Sequence, residues 1–200
     1  MKRGSIVLLN GVTSAGKSAL SKELQAAFDE PFYYVALDTF NEIIRPYGAS
    51  KGKFTNPDIM NDAVSVMYCL IKDFSDKGLS VIVDHIMTDD SKWFNECVNI
   101  LYKYPVMFVR VDCDRDVALE RARGRGYTTP ERLDQIDSQL SRLHKHNIYD
   151  LTISTSGDTI EKNAEIIKQE LKNRDNWNAF KKLKKIIDKD YRKNERPHRI

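Results

Sequence analysis

The stretch GVTSAGKS satisfies G-x-x-x-x-G-K-[ST] at Gly11, Gly16, Lys17 and Ser18. Glycines at these positions let successive backbone N–H groups curl around an anion, and a helix opening near Lys17 directs its positive end at the same point. Lys17 would reach the β- and γ-phosphates of a nucleotide, and the Ser18 hydroxyl would bind Mg²⁺. Thr13, Ser14, Ala15 and Ala19 complete the expected nucleotide cradle, the Walker A loop. A Gly/Ser-rich turn could serve packing alone, but a lysine at a helix N-terminus is electrostatically unfavourable without an anion to offset it.

Two aspartates follow apolar runs that read as strands: Asp38 after FYYVAL and Asp84 after LSVIV. Beyond the carboxyl ends of strands is where an open α/β sheet does its chemistry. If the strand order is 2-3-1-4-5, as in nucleotide kinases, Asp84 neighbours the phosphate loop and joins Ser18 around Mg²⁺. Asp38 then lies one strand further out, where it can take the proton of an attacking hydroxyl. Either could instead cap a following helix, Asp38 ahead of TFNEII in particular. His85 could face acceptor or metal, or be an ordinary core or solvated histidine.

DCDRDVALERARGRGYTTPER supplies Arg115, Arg121, Arg123, Arg125 and Arg132. Phosphoryl transfer needs positive charge over the γ-phosphate, and a short arginine-bearing helix running into a Gly-containing loop suits a lid. Arg121 and Arg125 are the expected catalytic arginines; a solvated helix pairing with Glu120 and Glu131 is the alternative. Adenine is expected near Arg121 and the loop STSGDT (154–159), with Ser156 as its contact. Since that loop also opens a helix, Ser156 or Asp158 could be its cap. The later strands are followed by no NKxD-like guanine-reading sequence.

The elements that must position these groups are legible as apolar runs at 5–10, 32–38, 79–85, 106–112 and 149–155, unbroken as strands buried on both faces should be. Helical spacing fills the gaps, for example Leu20, Leu24 and Ala27 after the loop. A long helix is expected from Pro57, capped by Asn56 and ended by Gly78, after a loop over 48–57. The expected fold is α/β: a doubly wound five-stranded parallel sheet of the nucleotide-kinase-like P-loop NTPase kind with a C-terminal helix. We divide it into a kinase domain (1–173) and a basic amphipathic tail (174–200). In the tail Trp177, Phe180, Leu183, Ile187 and Tyr191 form one apolar stripe, and its simplest role is to dock on the domain.

The chain has 200 residues, 41% hydrophobic and 30% charged, enough for one core. Its net charge of +3 is uneven: residues 174–200 hold ten basic against four acidic residues, leaving 22 against 25 before them. Cys69, Cys97 and Cys113 are scattered, which argues against a disulfide framework or zinc site and for buried thiols in a reducing cytoplasm. Only SIVLL separates the initial MKR from Asn10, too short for a signal-peptide core or a membrane span.

Taken in order, IVLLNGVTSAGKS, VALDTF, SVIVDH, VRVDCDRDVALERARGRG and HKHNIYDLTISTS resemble the chloramphenicol phosphotransferase family of P-loop kinases over roughly residues 5 to 170. The resemblance implies ATP-dependent phosphorylation of a hydroxyl on a small molecule. It puts Asp38 in the position of the family's general base, with Lys17 and Ser18 on nucleotide and Mg²⁺. ARGRGY departs from the family pattern, which has an acidic residue after the glycine and then an arginine. The expected function is therefore a cytoplasmic small-molecule kinase using ATP and Mg²⁺. The rivals are a zeta-toxin-like sugar-nucleotide kinase, a nucleic-acid kinase engaging RNA through the basic tail, and a nonenzymatic nucleotide-controlled binding protein.

Overall fold

A computed structural model describes residues 2–43 and 57–194. The chain runs β1 (Ile6–Asn10), α1 (Lys17–Ala27), β2 (Phe32–Ala36), α2 (Leu37–Ile43), α3 (Pro57–Asp76), β3 (Ser80–His85), α4 (Lys92–Leu101), β4 (Val106–Asp112), α5 (Arg115–Gly124), α6 (Pro130–Arg142), β5 (Leu151–Ser154), α7 (Ile160–Glu170), a 3₁₀ turn (Leu171–Asn176) and α8 (Ala179–Asn194). The five strands form one parallel sheet in the order β2-β3-β1-β4-β5, as the sequence leads one to expect. Among the described residues no helix is long and apolar enough to cross a membrane.

Alternate side chains of the central strands feed two cores. Ile6, Leu8, Val81, Val83, Val106 and Phe108 pack with α3, α4 and α8. Val7, Leu9, Ile82, Met107, Val109 and Val111 pack with α1, α5, α6 and α7. Burial on both faces explains why β1 reads as an unbroken apolar run. At the end of α3, Leu79 N–H bonds Phe74 C=O and Gly78 N–H bonds Ser75 C=O, with Gly78 at φ +80°. This paired closure needs a left-handed residue, which is why a glycine stands there.

Several expectations need adjusting. β2 stops at Ala36, so Asp38 belongs to the first turn of α2 and not to the strand. The helix after β5 is capped by Thr159, whose Oγ1 accepts from Lys162 N–H, and neither Ser156 nor Asp158 has that role. Cys97 and Cys113 are buried, but Cys69 is exposed; all three are free thiols. The Asn56 cap and residues 48–56 of the expected loop lie outside the described residues.

The apolar stripe of the C-terminal segment joins the body of the protein. Phe180, Leu183 and Ile187 belong to one core and Trp177 to the other. Phe180 meets Phe108 edge-on at a centroid distance of 5.1 Å. Tyr191 is the exception, 55% exposed, because residues 189–192 run past the surface on which the helix packs. Replacing Phe180 with alanine is expected to cost about 3–5 kcal/mol in urea unfolding. Lys185→Ala on the outer face should stay within about 0.5 kcal/mol. Equal and small effects would show that α8 is not part of the folding unit.

Candidate active site

The loop between β1 and α1 owes its shape to two glycines. A side chain at Gly11 would place its Cβ 2.5 Å from the Val111 carbonyl oxygen, so close approach to β4 excludes any larger residue. Gly16, at φ +91°, precedes the first residue of α1 in the left-handed region, leaving the first amides of the helix turned toward the loop. Ser14 also has positive φ, 63°, and its Oγ is buried without a hydrogen-bond partner among the described residues.

Three neighbours brace the loop. Gln139 of α6 accepts from Thr13 N–H at 2.7 Å. Thr155, just after β5, donates through Oγ1 to Ala15 C=O at 2.7 Å. Arg121 of α5 donates to Thr155 C=O at 2.7 Å, with its other terminal nitrogen 3.5 Å from Ala15 C=O. Arg121 is thereby pinned between the loop and the end of β5.

Lys17 is 6% exposed. Its Nζ donates to Gly11 C=O and Val12 C=O, each at 3.0 Å, and lies 3.7 Å from Asp84 Oδ1. Burial pushes the ammonium below the ordinary lysine range, and the Asp84 charge works in the opposite direction. Ser18 Oγ donates to Asp84 Oδ2 at 2.6 Å. The register sets this meeting, since Asp84 pairs with Leu9 on β1, two residues before Gly11. Tyr34 of β2, absent from the sequence-derived set, donates to the same Asp84 oxygen at 3.1 Å. Burial and the Asp84 charge push its phenol up to about 12.

His85, next along β3, is a core residue. It is 2% exposed, with Nε2 2.8 Å from Tyr68 OH, and burial followed by the Lys17 charge lowers its pKa to about 3. Asp38 is exposed at the start of α2, and its charge is felt at both Lys17 and Tyr34.

Gly16, Ala19, Arg121, Arg125, Thr155 and Ile160 line a pocket of about 250 Å³ beside the loop. Of the expected nucleotide contacts, Gly16, Ala19 and Arg121 line it, together with the expected catalytic Arg125; Gly11, Thr13, Ser14, Ala15, Lys17, Ser18 and Ser156 are not part of its lining. The Ser156 hydroxyl instead accepts from Asp114 N–H at 2.7 Å, ahead of α5, and Thr155 takes its place in the wall. Arg125 is exposed at the C-terminal end of α5. Arg115 pairs with Asp137 of α6 at 2.5 Å, and Arg132 lies over the Tyr127 ring. Neither pairing with Glu120 nor with Glu131 is needed to explain the cluster.

A glycine loop ending in lysine and serine, set between the central strand of a 2-3-1-4-5 sheet and its helix, with an aspartate reaching over from β3, defines the P-loop kinase class. The chain belongs to the chloramphenicol phosphotransferase-like protein family, whose profile matches residues 4–172, and so to the P-loop phosphotransferases. Solved structures agree on the fold. A Deinococcus radiodurans tunicamycin resistance protein superposes with a TM-score of 0.65 at 17% identity, covering 84% of this chain and 96% of that one. Mycobacterium tuberculosis APS kinase, in complex with AMPPNP and APS, gives 0.62 at 14% identity, covering 86% and 99%. Acinetobacter baumannii shikimate kinase, in complex with shikimate, gives 0.62 at 13% identity, covering 88% and 96%. No curated protein matches the sequence.

The depressed pKa of Lys17 has a measurable consequence. A phosphate drawn onto the loop raises that pKa, so binding takes up a proton wherever free Lys17 is deprotonated. ADP affinity should therefore fall as pH rises through the lowered pKa of free Lys17, with a binding heat that depends on buffer ionisation. Calorimetry in two buffers tests this; affinity that stays flat into the ordinary lysine range would count against it.

Proposed function

We propose that this protein transfers the γ-phosphate of ATP to a hydroxyl of a small molecule, antibiotic- or metabolite-like. The observation that carries this reading is the separation of two carboxylates on neighbouring elements. Asp84 is engaged by Ser18, Tyr34 and Lys17, and Asp38 lies at the head of α2, beyond the β2 residue Ala36 that pairs with Asp84. In this reading Asp84 serves the donor phosphates, and Asp38, one strand further out in the sheet order, serves the arriving acceptor.

The unpartnered Ser14 hydroxyl, the amides after Gly16 and the buried Lys17 fit a nucleotide phosphate. Ser18 and Asp84 supply adjoining oxygens that suit a hard cation such as Mg²⁺. Among the described residues no group of three or more His, Cys, Asp or Glu could cage a metal, so the pair would share it with phosphate oxygens. When bound, magnesium neutralises and orients those oxygens. Lys17 leaves the Gly11 and Val12 carbonyls to pair with phosphate, and Arg121 and Thr155 wall the adenine pocket. Arg125, exposed on the pocket rim, swings over the transferring group. Asp38 takes the proton of the acceptor hydroxyl as its oxygen bonds the γ-phosphorus and the bond to the ADP oxygen breaks.

A small acceptor is supported by the relatives that share the fold, among them an APS kinase solved with APS and a shikimate kinase solved with shikimate. Hydroxylated metabolites and antibiotics incubated with labelled ATP should yield a phosphorylated product from one class. With that acceptor, Asp38→Asn is expected to lower turnover about 10²- to 10⁴-fold while ADP affinity stays within about twofold. Full turnover by the variant would overturn the base assignment, and absence of any nucleoside triphosphate turnover would overturn the function.

A further inference from the structure

Asp84 is held by three side chains from two elements, α1 and β2. Its Oδ1 faces Lys17 Nζ of α1 at 3.7 Å, and its Oδ2 accepts two hydroxyl protons, from Ser18 of α1 at 2.6 Å and from Tyr34 of β2 at 3.1 Å. The carboxylate is 11% exposed, whereas Tyr34 stands on the edge strand of the sheet and is 38% exposed. An edge-strand tyrosine that reaches inward to a nearly buried carboxylate spends its one hydroxyl on that contact, although water is available to it.

The two hydroxyl donors are not equivalent. Ser18 must present an oxygen lone pair to a bound cation, so its rotor has to answer to the metal as well as to Asp84. Lys17, for its part, must move toward phosphate. Tyr34 alone can keep its bond to Asp84 unchanged while the other two partners reorganise. The terminal torsion of an aspartate is broad, so one donor leaves the carboxylate plane free to turn and a second, from another direction, removes that freedom.

We propose that Tyr34 is a positioning residue for the magnesium site, fixing the Asp84 carboxylate so that the metal-binding pair is assembled before nucleotide arrives. Groups that orient metal-site carboxylates through hydrogen bonds typically change metal affinity about 10- to 100-fold when removed. Half-exposure of Tyr34 puts it at the lower end. This rests on the nucleotide-and-magnesium reading of the site, and the test separates the two.

ADP binding is measured by calorimetry in Mg²⁺ and in EDTA for the wild type, Tyr34→Phe and Tyr33→Phe. Tyr33 is the control, a neighbour on β2 whose ring packs against Phe74, 4.9 Å between centroids. In Tyr34→Phe the gain in ADP affinity on adding Mg²⁺ should shrink about 10-fold. Affinity in EDTA and the thermal midpoint should stay at wild-type values, and Tyr33→Phe should be silent throughout. An unchanged magnesium gain in Tyr34→Phe overturns the proposal, as does an equal loss with and without Mg²⁺, which would mark a purely structural role. Wild-type protein that binds ADP in neither condition would instead remove the nucleotide site itself, and this proposal with it.

Discussion

A buried ammonium is the constraint around which this protein is arranged. Lys17 sits inside the fold, at the positive end of α1, where both burial and the helix dipole disfavour its charge. It is tolerable there because three oxygens converge on it: two carbonyls of its own loop and one from Asp84. Those carbonyls point inward only if the loop turns sharply, which requires a glycine at Gly11 against β4 and a left-handed one at Gly16. The same turn leaves the Ser14 Oγ buried without a hydrogen-bond partner among the described residues. In the reading proposed above, the geometry that makes the lysine bearable in the protein alone is also the geometry that receives a phosphate.

Such a loop must be braced, because its Gly11 and Val12 carbonyls are both held by a single lysine side chain. The braces come from elements remote in sequence: Gln139 on α6, Thr155 after β5 and Arg121 on α5. Two of the three, Thr155 and Arg121, also line the pocket beside the loop, so loop shape and pocket wall are partly set by the same residues. Arg121 illustrates the division of labour within the arginine segment. Its guanidinium is already committed to Thr155 and Ala15, which suits a wall, whereas Arg125 one turn later is exposed and suits movement.

The donor side was legible in the sequence because its requirements are local. The glycine-lysine-serine spacing, the unbroken apolar strands and the strand-end position of Asp84 are each readable from a handful of consecutive residues, whereas the strand order rests on analogy with nucleotide kinases, which the sheet bears out. What escaped depends on meetings between distant segments. Tyr34 looks like one more aromatic in a strand, and only the β2–β3 register brings its face to Asp84. Gln139 is one polar residue in a charged helix, and nothing nearby announces that it is buried against the loop. Asp38 was recognised by type but misplaced by element, since FYYVALD has no breaker to show that strand yields to helix at Leu37. That Thr155 and not Ser156 lines the pocket is set by the turn that follows β5 at Ser154, which no local spacing announces.

The histidines show why residue type alone misleads on the other side of the sheet. His144, His146 and Tyr149 form a strap across Phe108, held down by Asp89, which accepts from the backbone N–H groups of His144 and His146. His146 Nδ1 accepts from Ile148 N–H at 2.9 Å, so the neutral ring carries its proton on Nε2, 3.6 Å from Asp89 Oδ1. A second proton would have to displace that backbone bond as well as enter a stack between Phe94 and Phe108. Burial lowers the pKa of His146, and that of His144 to about 4. With His85 likewise neutral, all three act near neutral pH as aromatic hydrogen-bonding pieces and carry no cationic charge. Three of the chain's four histidines thus serve packing and hydrogen bonding in the fold, a role that residue type alone does not reveal.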